Sequence, residues 1–127
     1  MQTDPEANKR LVMEFYQTVV VGADFSNVER YLSPDYIQHS PLAANGVDGL
    51  REFVAEFSAT YPDTRLEFKR VIAEGDLVAT HSHVVRFAGD RGHSVMDWFR
   101  VQDGRVAEHW ESVTEIPEKT RSRLPLV

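Results

Sequence analysis

Three ionisable residues, Asp97, His109 and Glu111, sit inside runs that are otherwise apolar, β-branched or aromatic. A buried charge is costly unless it is paired, so groups placed this way call for an explanation. Proton transfer is the chemistry they suit. One carboxyl can take a proton from an activated carbon and return one to a new alkoxide if an apolar pocket raises its pKa towards neutrality. Glu111 is the candidate for that part. Asp97 facing His109 would fix the imidazole tautomer and keep the ring charged.

Other polar candidates lie upstream. His39 precedes the turn Ser40-Pro41, and His81 and His83 alternate along one strand. All three are expected to line a cavity, with His39 and either His81 or His83 polarising a carbonyl oxygen. Imidazoles with nearby carboxylates would also suit zinc or iron, but alternate histidines are an unspecific spacing, and no metal is expected. Tyr16 belongs first to a helical apolar stripe, with a hydroxyl that could reach a substrate oxygen. Phe99 shares a strand face with Asp97 and is a candidate contact for substrate.

Whether the acids and the imidazole meet depends on a hairpin. Asp103-Gly104 separates two β-rich runs, a strong hairpin signal. A two-residue loop pairs Val101 with Val106 and, continued, puts Asp97 and Glu111 on opposite faces. A loop of Gln102, Asp103 and Gly104, with a left-handed glycine in a bulge, pairs Val101 with Arg105. Asp97 then lies opposite His109, and Val95 opposite Glu111. The bulged form is expected, because it gathers Val95, Asp97, Phe99, Ala107, His109 and Glu111 on one face. Met96, Trp98, Arg100, Val106, Glu108 and Trp110 take the other. A slip of one residue would reverse every side chain.

The remaining elements must carry this hairpin. Asp4-Pro5 reads as an N-cap and first helical position, followed by an apolar stripe of Leu11, Val12, Phe15, Tyr16, Val19 and Val20 that Gly22 stops. Asp24 could cap a short second helix through Val28, Tyr31 and Leu32, ended by Ser33-Pro34. Asp35 to His39 reads as extended. A third helix runs from Val47 or Asp48 to Thr60, with Leu50, Phe53, Val54 and Phe57 on one side, and Tyr61-Pro62 terminates it. Then come a strand around Leu66 to Ile72 with a phase change near Arg70, the turn Glu74-Gly75-Asp76, a strand from Leu77 to Phe87, and the hairpin. Ile116-Pro117 ends the sheet. Helices followed by an antiparallel meander form an α+β pattern: N-terminal helices packed in a strongly curved antiparallel sheet that leaves a concave pocket at its mouth.

Composition bounds the partners. At 127 residues, one domain spanning 1–127 is expected, with a real core. The net charge of −6 with no basic stripe argues against nucleic acid. The absence of cysteine rules out a disulfide framework or a thiolate nucleophile. With no signal-peptide pattern and no membrane-length apolar run, a soluble cytoplasmic protein with no membrane partner is expected. Met96, Trp98 and Trp110 on the outer hairpin face are expected to form a homodimer interface.

Six segments occur in order: Tyr36-Ile37-Gln38-His39-Ser40-Pro41, Val78-Ala79-Thr80-His81-Ser82-His83, Asp90-Arg91-Gly92, Asp97-Trp98-Phe99-Arg100, Asp103-Gly104-Arg105-Val106 and Glu108-His109-Trp110-Glu111. As a set they resemble the SnoaL-like polyketide cyclase branch of the nuclear transport factor two superfamily, over roughly Asn8 to Lys119. Within it they are similar to the group described as catalysing aldol condensation. The resemblance implies a cone-shaped α+β fold, often dimeric through the outer sheet face. It implies a cofactor-independent enzyme whose pocket carboxylate, at Glu111 here, is general acid and base in an intramolecular aldol closure. Asp97 falls where cyclases place a second polar pocket residue. The family pattern usually has Asp where this chain has Glu111, one methylene shorter. The expected substrate is a small apolar molecule containing a carbonyl. The alternatives are a non-catalytic small-molecule-binding protein on the same fold, or an epoxide hydrolase or keto-isomerase activity.

Overall fold

The computed structural model describes residues 4–127. Helix α1 spans Pro5–Phe15, and the Asp4 carboxylate caps it by accepting from the backbone N–H groups of Glu6 and Ala7. Its winding then widens into a π-helix over Tyr16–Val21, closed by the Gly22 N–H donating to the Gln17 carbonyl. Local widening of this kind recurs at functional sites, and Tyr16 stands at its start. The expected second helix is only a single 3-10 turn, Val28–Arg30. Leu32 instead begins strand β1, Leu32–His39. Pro34 is compatible with this because β1 lies at a sheet edge, where a missing N–H breaks no essential ladder. Helix α2 spans Gly46–Thr60.

The remaining strands are β2 Arg65–Glu74, β3 Leu77–Val85, β4 His93–Gln102 and β5 Arg105–Glu115. The sheet order is β1-β5-β4-β3-β2: an antiparallel meander from β2 to β5, with β1 added parallel to β5. β1 and β2 do not pair, so the sheet is unclosed. It curls enough for α1 to pack on β2, β3 and β5 at once. The phase change near Arg70 is a bulge between Phe68 and Arg70. Val12, Phe15, Val19, Leu32, Val54, Val78, Phe99 and Val106 are the most deeply buried apolar residues, and the Phe15 ring meets Phe99 edge-on. Among the described residues, no helix is long and apolar enough to cross a membrane.

The hairpin corrects the expected register. Its loop is two residues, Asp103 at φ 52° and Gly104 at φ 74°, which pairs Gln102 with Arg105 and Val101 with Val106. Positive φ at both positions suits the right-handed twist of the strands. The extra residue sits within the strand instead. The register shifts between Arg100 and Val101, Ala107 is left over, and Arg100 pairs with Glu108. Asp97 therefore lies opposite Glu111, not His109, and His109 lies opposite Phe99. The in–out alternation is the expected one except at Val106, which is fully buried.

Candidate active site

The concave side of the sheet bears polar groups in cross-strand rows. One row runs Thr80, Asp97, Glu111; its neighbour runs Val78, Phe99, His109, Gln38. Asp97 is 1% exposed and bonded on both oxygens. The Tyr16 hydroxyl donates to Oδ2 at 3.1 Å, and His109 Nε2 lies 2.6 Å from Oδ1. His109 Nδ1 lies 2.6 Å from Gln38 Oε1. Each ring nitrogen thus faces a side-chain oxygen, which fixes the orientation of the ring. The Phe99 ring stacks on the imidazole at 4.7 Å between centroids.

Glu111 is partly buried beside this pair, and the Ser40 hydroxyl donates to its Oε1 at 2.5 Å. Burial pushes its carboxyl above the ordinary 4.5; the Ser40 bond opposes this, Asp97 adds to it, and His109 opposes it. Burial and then the Asp97 charge raise the Tyr16 phenol well above 10.0, so it remains a neutral donor. A cavity of about 160 Å³ opens onto these groups. Tyr16, Tyr36, Gln38, Ser40, His109 and Glu111 provide its polar wall, and α2 provides an apolar wall through Leu50, Phe53, Val54 and Phe57. A carboxyl of raised pKa in a mostly apolar hollow is suited to exchanging protons with a bound molecule.

The SnoaL-like domain model matches residues 12–109 of the sequence. The chain belongs to the SnoaL-like family. Comparison with curated proteins finds no match. Among solved structures, this SnoaL-like chain is similar to TsrD from Streptomyces laurentii, with 21% identity, TM-score 0.73, and coverage of 88% of this chain and 91% of that one. It is similar to a protein named as a candidate ketosteroid isomerase from Kribbella flavida, with 22% identity, TM-score 0.74, and coverage of 98% and 90%. It is also similar to a protein named as a candidate polyketide cyclase from Acidithiobacillus ferrooxidans, with 19% identity, TM-score 0.71, and coverage of 89% and 91%. At such identities the likeness is one of fold.

The SnoaL-like fold brings Asp97, His109, Glu111, Tyr16 and Phe99 together, and it places three of the predicted residues elsewhere. His39 is on the convex face, where Nε2 meets Glu108 at 2.7 Å and the ring stacks on Trp110. Parallel pairing of His39 with Trp110 puts both outside, so Gln38 and Ser40 point in. His81 and His83 are also convex. His81 Nε2 meets Ser94 Oγ at 2.8 Å with Arg70 beside Nδ1, and His83 Nε2 meets the Arg91 carbonyl at 2.8 Å. The inward residues of β3 are Val78, Thr80, Ser82 and Val84, on the side that packs towards α1. The hydroxyls of Thr80 and Ser82 have no hydrogen-bond partner among the described residues.

Tyr36, Gln38, Ser40 and His93 line the cavity and were missed as site residues. The alternation Tyr36, Gln38, Ser40 was the available signal, but it has force only once Asp35 to His39 is read as a strand buried on one face. Asp97, His109 and Glu111 also offer ligand atoms within 4.8 Å of one another, a spacing a divalent ion could use. Both His109 nitrogens are already engaged, by Asp97 and Gln38, so an ion would have to displace one of them.

Proposed function

We propose that the protein is an enzyme that moves a proton on a small, largely apolar carbonyl compound, with Glu111 as general acid and base. The observation that carries this is Glu111 itself: a partly buried carboxyl, raised by desolvation, at a cavity wall beside the Asp97–His109 pair. The ionised carboxylate takes a proton from the carbon next to the carbonyl. The C–H electron pair becomes the C=C bond of an enolate, and the carbonyl π pair moves to oxygen. Returning the proton to a different carbon is isomerisation. If the enolate carbon attacks a second carbonyl of the same molecule, a C–C bond closes a ring and protonated Glu111 delivers its proton to the new alkoxide. That is an intramolecular aldol addition, and its protons balance without a cofactor. The names borne by the structural neighbours, ketosteroid isomerase and polyketide cyclase, correspond to these two outcomes. The Asp97–His109–Gln38 chain would hold a fixed field beside the reacting carbon.

Replacing Glu111 by Gln is the test. Turnover of a carbonyl substrate should fall by about 10²–10⁴-fold while the protein stays folded. Unchanged ligand binding with no turnover by either protein would mean a binding protein. Labelled water oxygen appearing in a diol product would mean epoxide hydrolysis.

The proposal extends to a cytoplasmic setting and to a homodimer through the convex face. The dimer is supported by a row that crosses the whole sheet, apolar at Ile72, Ala79, Trp98 and Trp110 and ending at His39, each a cross-strand neighbour of the next. Ile72, Met96 and Trp98 are all about half exposed or more, at 66%, 52% and 49%. Exposed apolar surface that is contiguous marks association.

A further inference from the structure

Among the described residues, the carboxylate of Glu111 has one hydrogen-bond partner, the Ser40 hydroxyl, and only Oε1 receives it. Oε2 is left for whatever enters the cavity. Ser40 is itself held from the other side. It directly follows β1, and its Oγ accepts the Leu42 N–H at 3.0 Å, a local turn that fixes the side chain. Asn45 Oδ1 accepts the Gln38 N–H at 2.8 Å and ties the far end of the same loop to β1. Leu42 and Ala43, between these two ties, line the cavity. A hydroxyl that accepts from one group while donating to another is polarised by both, so the Leu42 N–H strengthens the bond from Ser40 to Glu111. An O–H donor stabilises a carboxylate more than a carboxylic acid, and this bond accordingly opposes the upward push of burial on Glu111.

We infer that Ser40 is the positioning residue of the site: it holds Oε1 of Glu111 and leaves Oε2 as the atom that takes and returns the substrate proton. This rests on Glu111 acting as the base. The C–H proton passes to Oε2, the electron pair stays with the substrate as its enolate, and the Ser40 proton stays on Oγ. The glutamic acid formed this way keeps Oε1 as its carbonyl oxygen, a weaker acceptor than the carboxylate, so the Ser40 bond slackens. Through the Leu42 N–H, the state of Glu111 is thereby passed to the loop beside the cavity. The other titratable groups around Glu111 are Asp97 on β4, His109 on β5, Tyr36 on β1 and Tyr16 at the start of the π-helix. His93 begins β4, further along the same wall, and α2 faces the cavity with uncharged side chains.

The test is an infrared pH titration of the full chain, with the Glu111 carboxyl bands assigned by their loss in Glu111→Gln. Ser40→Ala should move the midpoint of the Glu111 titration up by about one pH unit, the size expected when a bond to a charged group is lost. It should also raise the C=O stretching frequency of the protonated acid, because a carbonyl that accepts no hydrogen bond is stiffer. Ser40→Thr, which keeps the hydroxyl, should restore both. An unmoved midpoint would overturn the hold of Ser40 on the carboxylate. An unmoved or lowered C=O frequency would put the proton on Oε1 and overturn the assignment of Oε2. If Ser40→Ala does not fold, NMR of the wild type decides: the Leu42 amide proton shift should follow the Glu111 titration, and a flat shift overturns the proposal. The underlying reading is tested apart, by exchange of deuterium at the α carbon of cyclohexanone in heavy water. Full exchange by Glu111→Gln would defeat Glu111 as base, while the infrared midpoint and frequency still decide what Ser40 holds.

Discussion

Glu111 holds its proton more tightly in the folded chain than an exposed glutamate would, because burial disfavours its charge. A carboxyl whose folded pKa is raised favours the fold most at low pH, and that contribution disappears as pH rises through the folded value. Ionised Glu111 therefore works against stability at neutral pH. Glu111→Gln should melt above the wild type at pH 7, by about 3 °C for a gain on the order of 1 kcal/mol. The gap should close below the ordinary value of 4.5. A lower melting temperature for the variant at pH 7 would count against burial of the charge. The same shift places the acid limb of the activity profile above 4.5, rising as Glu111 ionises. Asp97, His109 and Glu111 could be singled out in the sequence because charges are rare in apolar strands. His39, His81 and His83 could not be placed correctly, because alternation says which residues share a face but not which face is concave.

At the scale of elements, the site depends on where single residues are inserted. With a two-residue loop and no bulge, His109 and Glu111 would fall on the convex face. Ala107 is the residue that returns them to the cavity side. Both the expected and the observed hairpins contain one extra residue, which is why the faces were foreseen and the partners were not. The turn into β4 is equally constrained. Gly92 has φ 79°, and a Cβ there would lie 2.2 Å from the Val84 carbonyl oxygen. Asp90 anchors the same turn by accepting from Arg86 and from the Gly92 N–H. Gly92→Ala should destabilise the protein by about 2 kcal/mol or more, read as a denaturant midpoint shift. It should also disturb His93 at the cavity. Wild-type stability would mean the loop relaxes freely. The segment from Val28 to His39 was harder to read, since Tyr31 and Leu32 fit a helical stripe as well as a strand, and only pairing with β5 decides.

For the whole molecule, the convex face sets the remaining expectation. Trp98→Glu places a charge at the centre of the apolar row, far from the cavity side. Sedimentation of the wild type should give twice the 14.5 kDa of one chain, and the variant should give one. A wild-type monomer would remove the proposed interface. The sequence by itself determined the α+β class, the order and most limits of the elements, and the three ionisable residues on one hairpin face, because hydrophobic periodicity and turn chemistry are local. Tertiary structure decided the rest: that β1 joins β5 and delivers Tyr36, Gln38 and Ser40, that the side of β3 facing α1 carries Val78, Thr80, Ser82 and Val84 and leaves His81 and His83 outside, and that Asp97 faces Glu111. Those outcomes depend on which surfaces meet when the sheet curls, and no stretch of chain specifies its partner alone.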